Sequence, residues 1–253
     1  KELYNRNVAT AELAYRFADL WKAQLAYENT CFRYDRTERE YSNFDKHVFG
    51  ATVFYRFRPL TSALVEYNYG AVKYTEADES DSTFHSMLAG LTWEPTGILR
   101  GILKTGYTWK DFEEEDRDDK NTWILSADIE AHYTEFLAVG LRAFRHIIES
   151  DFYGTDYYTS TGGAAWVEHR FTAKITGRAE AGYTKNSYND FSLLDDKRAR
   201  RKDNVWNARI TLGYQIQPWL GVGLEYSFTN RRSEFDSFDY DRHIGLFYIK
   251  AGI

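Results

Sequence analysis

Asp128, Glu130 and His132 stand two residues apart, a spacing that puts all three side chains in one column on one face of an extended strand. A carboxylate beside an imidazole is the raw material of general acid–base chemistry, and His146, His169 and His243 widen the choice of partners. A nucleophile should accompany them, yet the chain has no G-x-S-x-G elbow. A column at i, i+2 and i+4 on a strand is then only a spatial row, and His132, close to a short turn, reads as a hydrogen-bonder at a rim. No catalytic, cofactor-binding or metal-ligating set is assigned. The acidic runs "TEADESD" (75–81) and "DFEEEDRDDKN" (111–121) hold clustered carboxylates that could take a divalent cation, but such runs are ordinarily solvated loops.

The remaining charged residues make a more orderly pattern. Arg56, Glu66, Arg100, Lys104, Asp128, Glu130, Arg142, Lys174, Arg178, Glu180, Arg209 and Glu225 each occupy the polar phase of a run that alternates polar and apolar residues. Arg16, Lys22, Arg58, Arg170, Glu12, Glu28 and Glu168 fall in the same phase. In 98–112, Arg100, Ile102, Lys104, Gly106, Thr108 and Lys110 oppose Leu99, Gly101, Leu103, Thr105, Tyr107 and Trp109. Charges of both signs on one face can pair across strands and stiffen a wet wall. Their slight basic excess, at Arg56, Arg100, Lys104, Arg142, Lys174 and Arg178, could instead guide an anionic solute.

The elements that must carry these residues are strands. Tyr (20), Phe (17) and Trp (7) are abundant among the 253 residues while Pro is scarce (3), a mixture that favours β structure. Alternation predicts strands at 5–17, 20–34, 45–58, 61–76, 83–94, 98–112, 121–133, 137–150, 157–171, 173–188, 203–215, 218–230 and 241–253. Short connections ("ADL", "PLT", "PTG", "TEF", "T", "QPW") alternate with long ones at 35–44, 77–82, 113–120, 151–156, 189–202 and 231–240. Sustained short-long alternation fits an up-and-down barrel and does not fit a Greek-key sandwich.

The apolar phase has its own zoning. Tyr15, Trp21, Tyr55, Phe57, Trp93, Tyr133, Tyr214 and Trp219 sit where strands meet short turns, and Tyr107, Trp109, Tyr183 and Tyr226 sit toward the far ends. Smaller aliphatics such as Ala23, Leu25, Val65, Leu103 and Val222 lie between them. Two aromatic girdles around an aliphatic band mark an outer-membrane barrel wall. In water the same alternation would either bury the charges or expose a continuous apolar exterior. The expected fold is an all-β, transmembrane, up-and-down antiparallel barrel, with residues 1–253 forming a single domain.

The stretches "FGATVFYRFRPLTSALVEYNYGAVKY" (49–74) and "VWNARITLGYQIQPWLGVGLEYSFTNRR" (205–232) resemble the outer-membrane beta-barrel porins of Gram-negative bacteria that often accompany exopolysaccharide gene clusters. That resemblance implies an outer-membrane channel for polysaccharide export or diffusion of small hydrophilic solutes, without a cofactor. A scaffold barrel housing a partner protein of an envelope-spanning complex stays open beside it. The expected surroundings are outer-membrane lipid and lipopolysaccharide, with a polysaccharide or a periplasmic export partner. Long loops would face the outside and the C-terminus the periplasm. The first strand would then start outside, so an even strand count calls for an upstream strand and a barrel of about 14–18 strands.

A net charge of −6 argues against nucleic acid as a partner. The one cysteine, Cys31, offers no disulfide framework. The run "DDKRARRKDN" (195–204) reads as a basic loop, solvated or in contact with glycolipid phosphate.

Overall fold

The computed structural model describes residues 4–35, 42–75, 81–94, 97–113, 120–150, 157–194 and 197–252. Among the described residues, thirteen strands follow one another as β1 (Tyr4–Ala18), β2 (Trp21–Tyr34), β3 (Phe44–Arg58), β4 (Thr61–Tyr74), β5 (Ser82–Trp93), β6 (Leu99–Phe112), β7 (Lys120–His132), β8 (Leu137–Glu149), β9 (Tyr157–Arg170), β10 (Ile175–Leu194), β11 (Lys197–Gln217), β12 (Leu220–Ser233) and β13 (Tyr240–Ala251). They are hydrogen-bonded in chain order, each to its neighbours in sequence. No helix among the described residues is long and apolar enough to cross a membrane.

The chain packs as two units. The first contains Lys1–Trp93, Leu103–Leu125 and Ser150–Asp156; the second contains Glu94–Ile102, Ser126–Glu149 and Tyr157–Ile253. Within the first unit the register puts Leu13, Leu25, Ala51, Tyr67 and Met87 side by side across β1 to β5. Three residues along the strands, Lys22, Phe54, Leu64 and Gly90 make a matching row of the other face. Within the second unit Leu141, Ala165, Ala181, Ala208 and Phe228 share one row, and Glu168, Arg178, Thr211 and Glu225 share a row of the opposite face. Alternation in sequence thus becomes one apolar and one charged face in each unit.

Tight turns hold the registers. Asp19–Leu20, Pro59–Leu60 and Pro218–Trp219 are two-residue corners. Pro59 fixes its own φ, and Leu60 completes the turn at φ 61, a left-handed conformation that costs a non-glycine residue about 1 kcal/mol or more. A register shift precedes each corner, between Arg16 and Ala18, Arg56 and Arg58, and Gln215 and Gln217. The extra residue re-aims the chain before it turns. Two other turns use a threonine instead. Thr134 Oγ1 accepts from the amides of Phe136 (3.1 Å) and Leu137 (3.0 Å), and Thr172 Oγ1 accepts from Lys174 (3.1 Å) and Ile175 (3.0 Å).

That second threonine turn corrects the sequence reading. The turn fills 171–174 and β10 begins at Ile175, because the Thr172 hydroxyl takes two amides that a strand would give to its neighbour. A larger correction concerns 189–202, expected as a long loop. Here β10 and β11 continue to Leu194 and from Lys197, pairing Phe191 with Arg200, Ser192 with Ala199 and Leu193 with Arg198. A register shift between Ser187 and Phe191 interrupts the alternation that would have revealed the pairing. The guanidinium of Arg200 lies 4.8 Å from the Phe191 ring centre and helps hold this extension together. The basic run is therefore largely strand. The long connections at 35–44, 77–82, 113–120 and 151–156 lie mostly outside the described residues, and so do most of the two acidic runs weighed as cation sites.

Glycines on the charged face let rings lie flat along the wall. A Cβ at Gly70 would stand 2.1 Å from the Phe84 ring, and one at Gly140 would stand 2.2 Å from the Trp166 ring. Gly70 and Phe84, like Gly140 and Trp166, are direct cross-strand partners. Only a residue without Cβ permits that approach.

Candidate functional site on the charged face

Exposure is inverted relative to a soluble sheet. Leu193 is 77% exposed, Leu13 68% and Leu25 57%, whereas Lys110 is 1% and Asp203 0% exposed. A large contiguous apolar surface of this kind is not left bare in water.

On the charged face, five of the cations expected there, Arg100, Lys104, Arg142, Arg178 and Arg209, have a carboxylate partner. Lys104 Nζ meets Glu66 at 2.8 Å, and Glu66 also accepts from Asn68 Nδ2 at 2.8 Å. Arg100 meets Glu130 at 2.9 Å, and the other oxygen of Glu130 lies 2.5 Å from His132 Nε2. Arg142 reaches Asp128 at 3.1 Å. Arg178 lies between Glu168 (3.6 Å) and Glu180 (3.3 Å) with its guanidinium 4.0 Å from the Trp166 ring centre. Arg209 meets Glu225 at 3.3 Å. Arg100–Glu130, Arg142–Asp128, Arg178–Glu168 and Arg209–Glu225 join adjacent strands, Lys104–Glu66 reaches from β6 to β4, and Glu130–His132 and Arg178–Glu180 lie two residues apart on one strand. Together they neutralise much of the basic excess read from the sequence. Asp128 thus serves Arg142, while Glu130 serves Arg100 and His132.

A second assembly stands at the long-connection end of β10 to β12. Asp203 accepts from Arg201 Nε at 3.0 Å and Nη2 at 2.9 Å, from Ser233 Oγ at 2.6 Å, and also from Arg231 Nη2. The Arg201 guanidinium lies 4.5 Å from the Tyr188 ring centre and 3.6 Å from that of Phe238. Phe238 belongs to a single 3-10 turn, Asp236–Phe238, in the connection after β12. Asp239 Oδ1 accepts from the Ser233 amide at 2.6 Å, and Phe235 is buried, so this connection folds over the charged face. Sequence reading treated 231–240 as a plain loop.

The short-turn end of the first unit is different. Arg16, Lys22 and Arg56 line a cavity of about 190 Å3 with Asp19, Ser62 and Thr92. Arg56 Nη2 donates to the Asp19 carbonyl, and Lys22 Nζ lies 4.3 Å from the Phe54 ring centre. Lys174, expected on a strand of this face, instead lies exposed in the turn before β10.

On the apolar face aromatic residues meet in tilted cross-strand pairs, with ring centres 4.8 Å apart for Trp21 and Tyr55 and 4.7 Å apart for Tyr183 and Trp206. Tyr107 and Trp109 are 5.2 Å apart along β6. Tyr15, Phe57, Tyr133, Tyr214, Trp219 and Tyr226 are exposed, while Trp93 and Tyr183 are half-buried. One feature escaped the sequence reading. Tyr27, Tyr67 and Tyr226 each stand six residues beyond the first residue of their strand, and each hydroxyl meets a histidine Nδ1 on the next strand, His47 at 2.8 Å, His85 at 2.7 Å and His243 at 2.7 Å. The spacing signal lies in two strands at once, which a single-strand pattern does not contain.

A profile of the family described as "Putative beta-barrel porin 2" matches residues 9–251. The chain belongs to that family. Its exposed apolar residues and its porin family put it in the outer membrane. No curated protein matches the chain in sequence. Solved structures of similar fold include the outer membrane channel DcaP of Acinetobacter baumannii, with 13% identity over 96% of this chain and 84% of that one, at a TM-score of 0.57. The FrpB iron transporter from Neisseria meningitidis gives 9% identity, 92% and 45% coverage and a TM-score of 0.58. The alcaligin receptor FauA from Bordetella pertussis gives 12%, 97% and 50%, and 0.55. The chain spans about half the length of such transporters, 45% of FrpB and 50% of FauA. At these identities the likeness is one of fold.

Proposed function

We propose that this chain forms the wall of an outer-membrane channel whose charged face borders the water path and whose apolar face meets lipid and lipopolysaccharide. The long connections lie at the cell surface and the short turns toward the periplasm, following the loop lengths usual in such barrels. The carrying observation is the inversion of exposure, with Leu13 and Leu25 open while Glu66 and Lys104 pair half-buried on the other face. Small hydrophilic solutes are the first reading, because paired charges make a wall that is polar without holding a solute tightly. Polysaccharide export is the second, favoured by Phe84 and Trp166, aromatic rings on the charged face that lie against Gly70 and Gly140 and carry Lys46 and Arg178 above them, a mixed aromatic and cationic lining that suits a sugar chain.

Planar-bilayer conductance of the purified full-length protein tests the channel. A stable ohmic current is expected, with neutral oligosaccharides reducing it in proportion to their size. Electrical silence in a folded, inserted protein would overturn the channel and favour a scaffold barrel holding a partner.

A further inference from the structure

We infer that the short-turn rim of the first unit is an oxyanion-binding subsite, taking the carboxylate, phosphate or sulfate group of a passing solute. The inference rests on the reading of the charged face as the wall of a channel. Arg16 and Lys22 are direct cross-strand partners in the register of β1 and β2. Their Cβ atoms are then about 5 Å apart, a placement in which like charges repel and cost stability. Arg56 reaches the same cavity of about 190 Å3 from β3, and Ser62 and Thr92 add hydroxyl donors.

Among the described residues none of the three cations has a carboxylate within ion-pair distance, unlike Lys104, Arg142 and Arg178 on the same face of their units. Asp19 lines the cavity, but what it gives Arg56 is its backbone carbonyl. Glu12, the nearest carboxylate in phase on β1, is four residues from Arg16, about 13 Å along a strand.

The fold supplies its own control. Arg16 and Arg56 each precede a register shift and a two-residue corner, and Gln215 holds the same position before Pro218–Trp219. Gln215 Nε2 donates to the carbonyls of Gln217 (2.6 Å), Pro218 (3.3 Å) and Leu220 (3.3 Å), so a neutral amide suffices to tie the turn. Turn geometry accounts for a donor at this position and does not account for a full charge. An anion bridging Arg16, Lys22 and Arg56 relieves their repulsion and gains charge-assisted hydrogen bonds in one step.

The test is blockade of single-channel current by a linear uronic-acid trisaccharide, with a neutral trisaccharide of equal length beside it. In the R16Q/K22Q/R56Q variant the acidic sugar should need about tenfold higher concentration to block, while the neutral one blocks both proteins equally. R232Q, on an arginine that pairs with Asp241 at 3.0 Å near the long-connection end of β12, should leave the acidic block unchanged. An unchanged block in the triple variant, or equal block by both sugars in the wild type, overturns the subsite.

If the wild type carries no current, the channel reading has failed, and calorimetric titration of the detergent-solubilised protein with inorganic sulfate decides the subsite alone. Heat of binding that the triple variant lacks supports it, and absence of heat in the wild type overturns it. K22Q by itself removes the like-charge pair and should raise the thermal midpoint in anion-free buffer, with sulfate raising the midpoint of the wild type more than that of K22Q. A K22Q midpoint at or below that of the wild type overturns the repulsion on which the subsite is built.

Discussion

Two ends of the charged face treat arginine in opposite ways. At the long-connection end of the second unit, Arg201 and Arg231 both close on Asp203, which has no exposed surface, under the ring of Phe238. At the short-turn end of the first unit, Arg16, Lys22 and Arg56 line open space beside Asp19, and none of them forms an ion pair among the described residues. Removing a partner at the first place strands a charge away from water, while removing a charge at the second relieves repulsion. Ion pairs such as Lys104–Glu66 and Arg142–Asp128 lie between these extremes, and exposure grades them.

The largest effect should come from Asp203→Ala. Two guanidinium groups then lose their shared carboxylate, and breaking a buried pair of this kind costs about 3–5 kcal/mol. Guanidinium-chloride unfolding of the vesicle-inserted protein measures it. A loss below about 1 kcal/mol would mean that water reaches Asp203 and that the contrast between the two ends is wrong. Glu66→Gln comes next. Side-chain exposures of 21% for Lys104 and 16% for Glu66 make the pair half-desolvated, so the loss should fall near about 1–3 kcal/mol by the same measurement. Arg142→Gln should cost about 0–1 kcal/mol, since Arg142 is 60% and Asp128 46% exposed. An order other than Asp203, Glu66, Arg142 would break the link between burial and pairing strength.

The sequence made the strands and their faces legible because alternation with period two is local information, carried inside each run. Trp21, Tyr55, Leu103 and Val222 fell on one face and Arg100, Glu66 and Arg209 on the other without any knowledge of neighbours. Pairing is a property of two or three strands together. Arg178 finds Glu168 on the strand before it, and Asp203 collects Ser233 and Arg231 from the strand after it. The cationic rim was hidden for the same reason, since Arg16 and Lys22 read as two more charges of the polar phase until the register set them opposite each other. Where alternation itself was interrupted, at 187–191, even the strand was missed. The residues beyond it, Phe191 and Leu193 opposite Arg200 and Arg198, kept the pattern, and that is the signal a longer reading window would have used.

The same β10–β11 extension offers the smallest and most local test of how exposure sets the weight of a charge. Lys197, first residue of β11, pairs with Glu234, just past the end of β12, and the Glu234 amide donates to the Lys202 carbonyl at 2.9 Å. The ammonium of Lys197 holds the Glu234 carboxyl below its ordinary range through a hydrogen bond and direct attraction, against a smaller opposing effect of burial. A carboxyl lowered on folding stabilises the folded form above its unfolded value and loses that contribution as pH falls through the folded one. Amide exchange at 197–202, corrected for intrinsic rates, should therefore be slower in the wild type than in Glu234→Gln at about pH 7 and equal in the two at about pH 3. A gap that persists at the acid end would show that Glu234 holds the strand end by shape rather than by charge. The exposed pair would then belong with the turn contacts of Gln215 and not, however weakly, with the charge-bound arginines of Asp203.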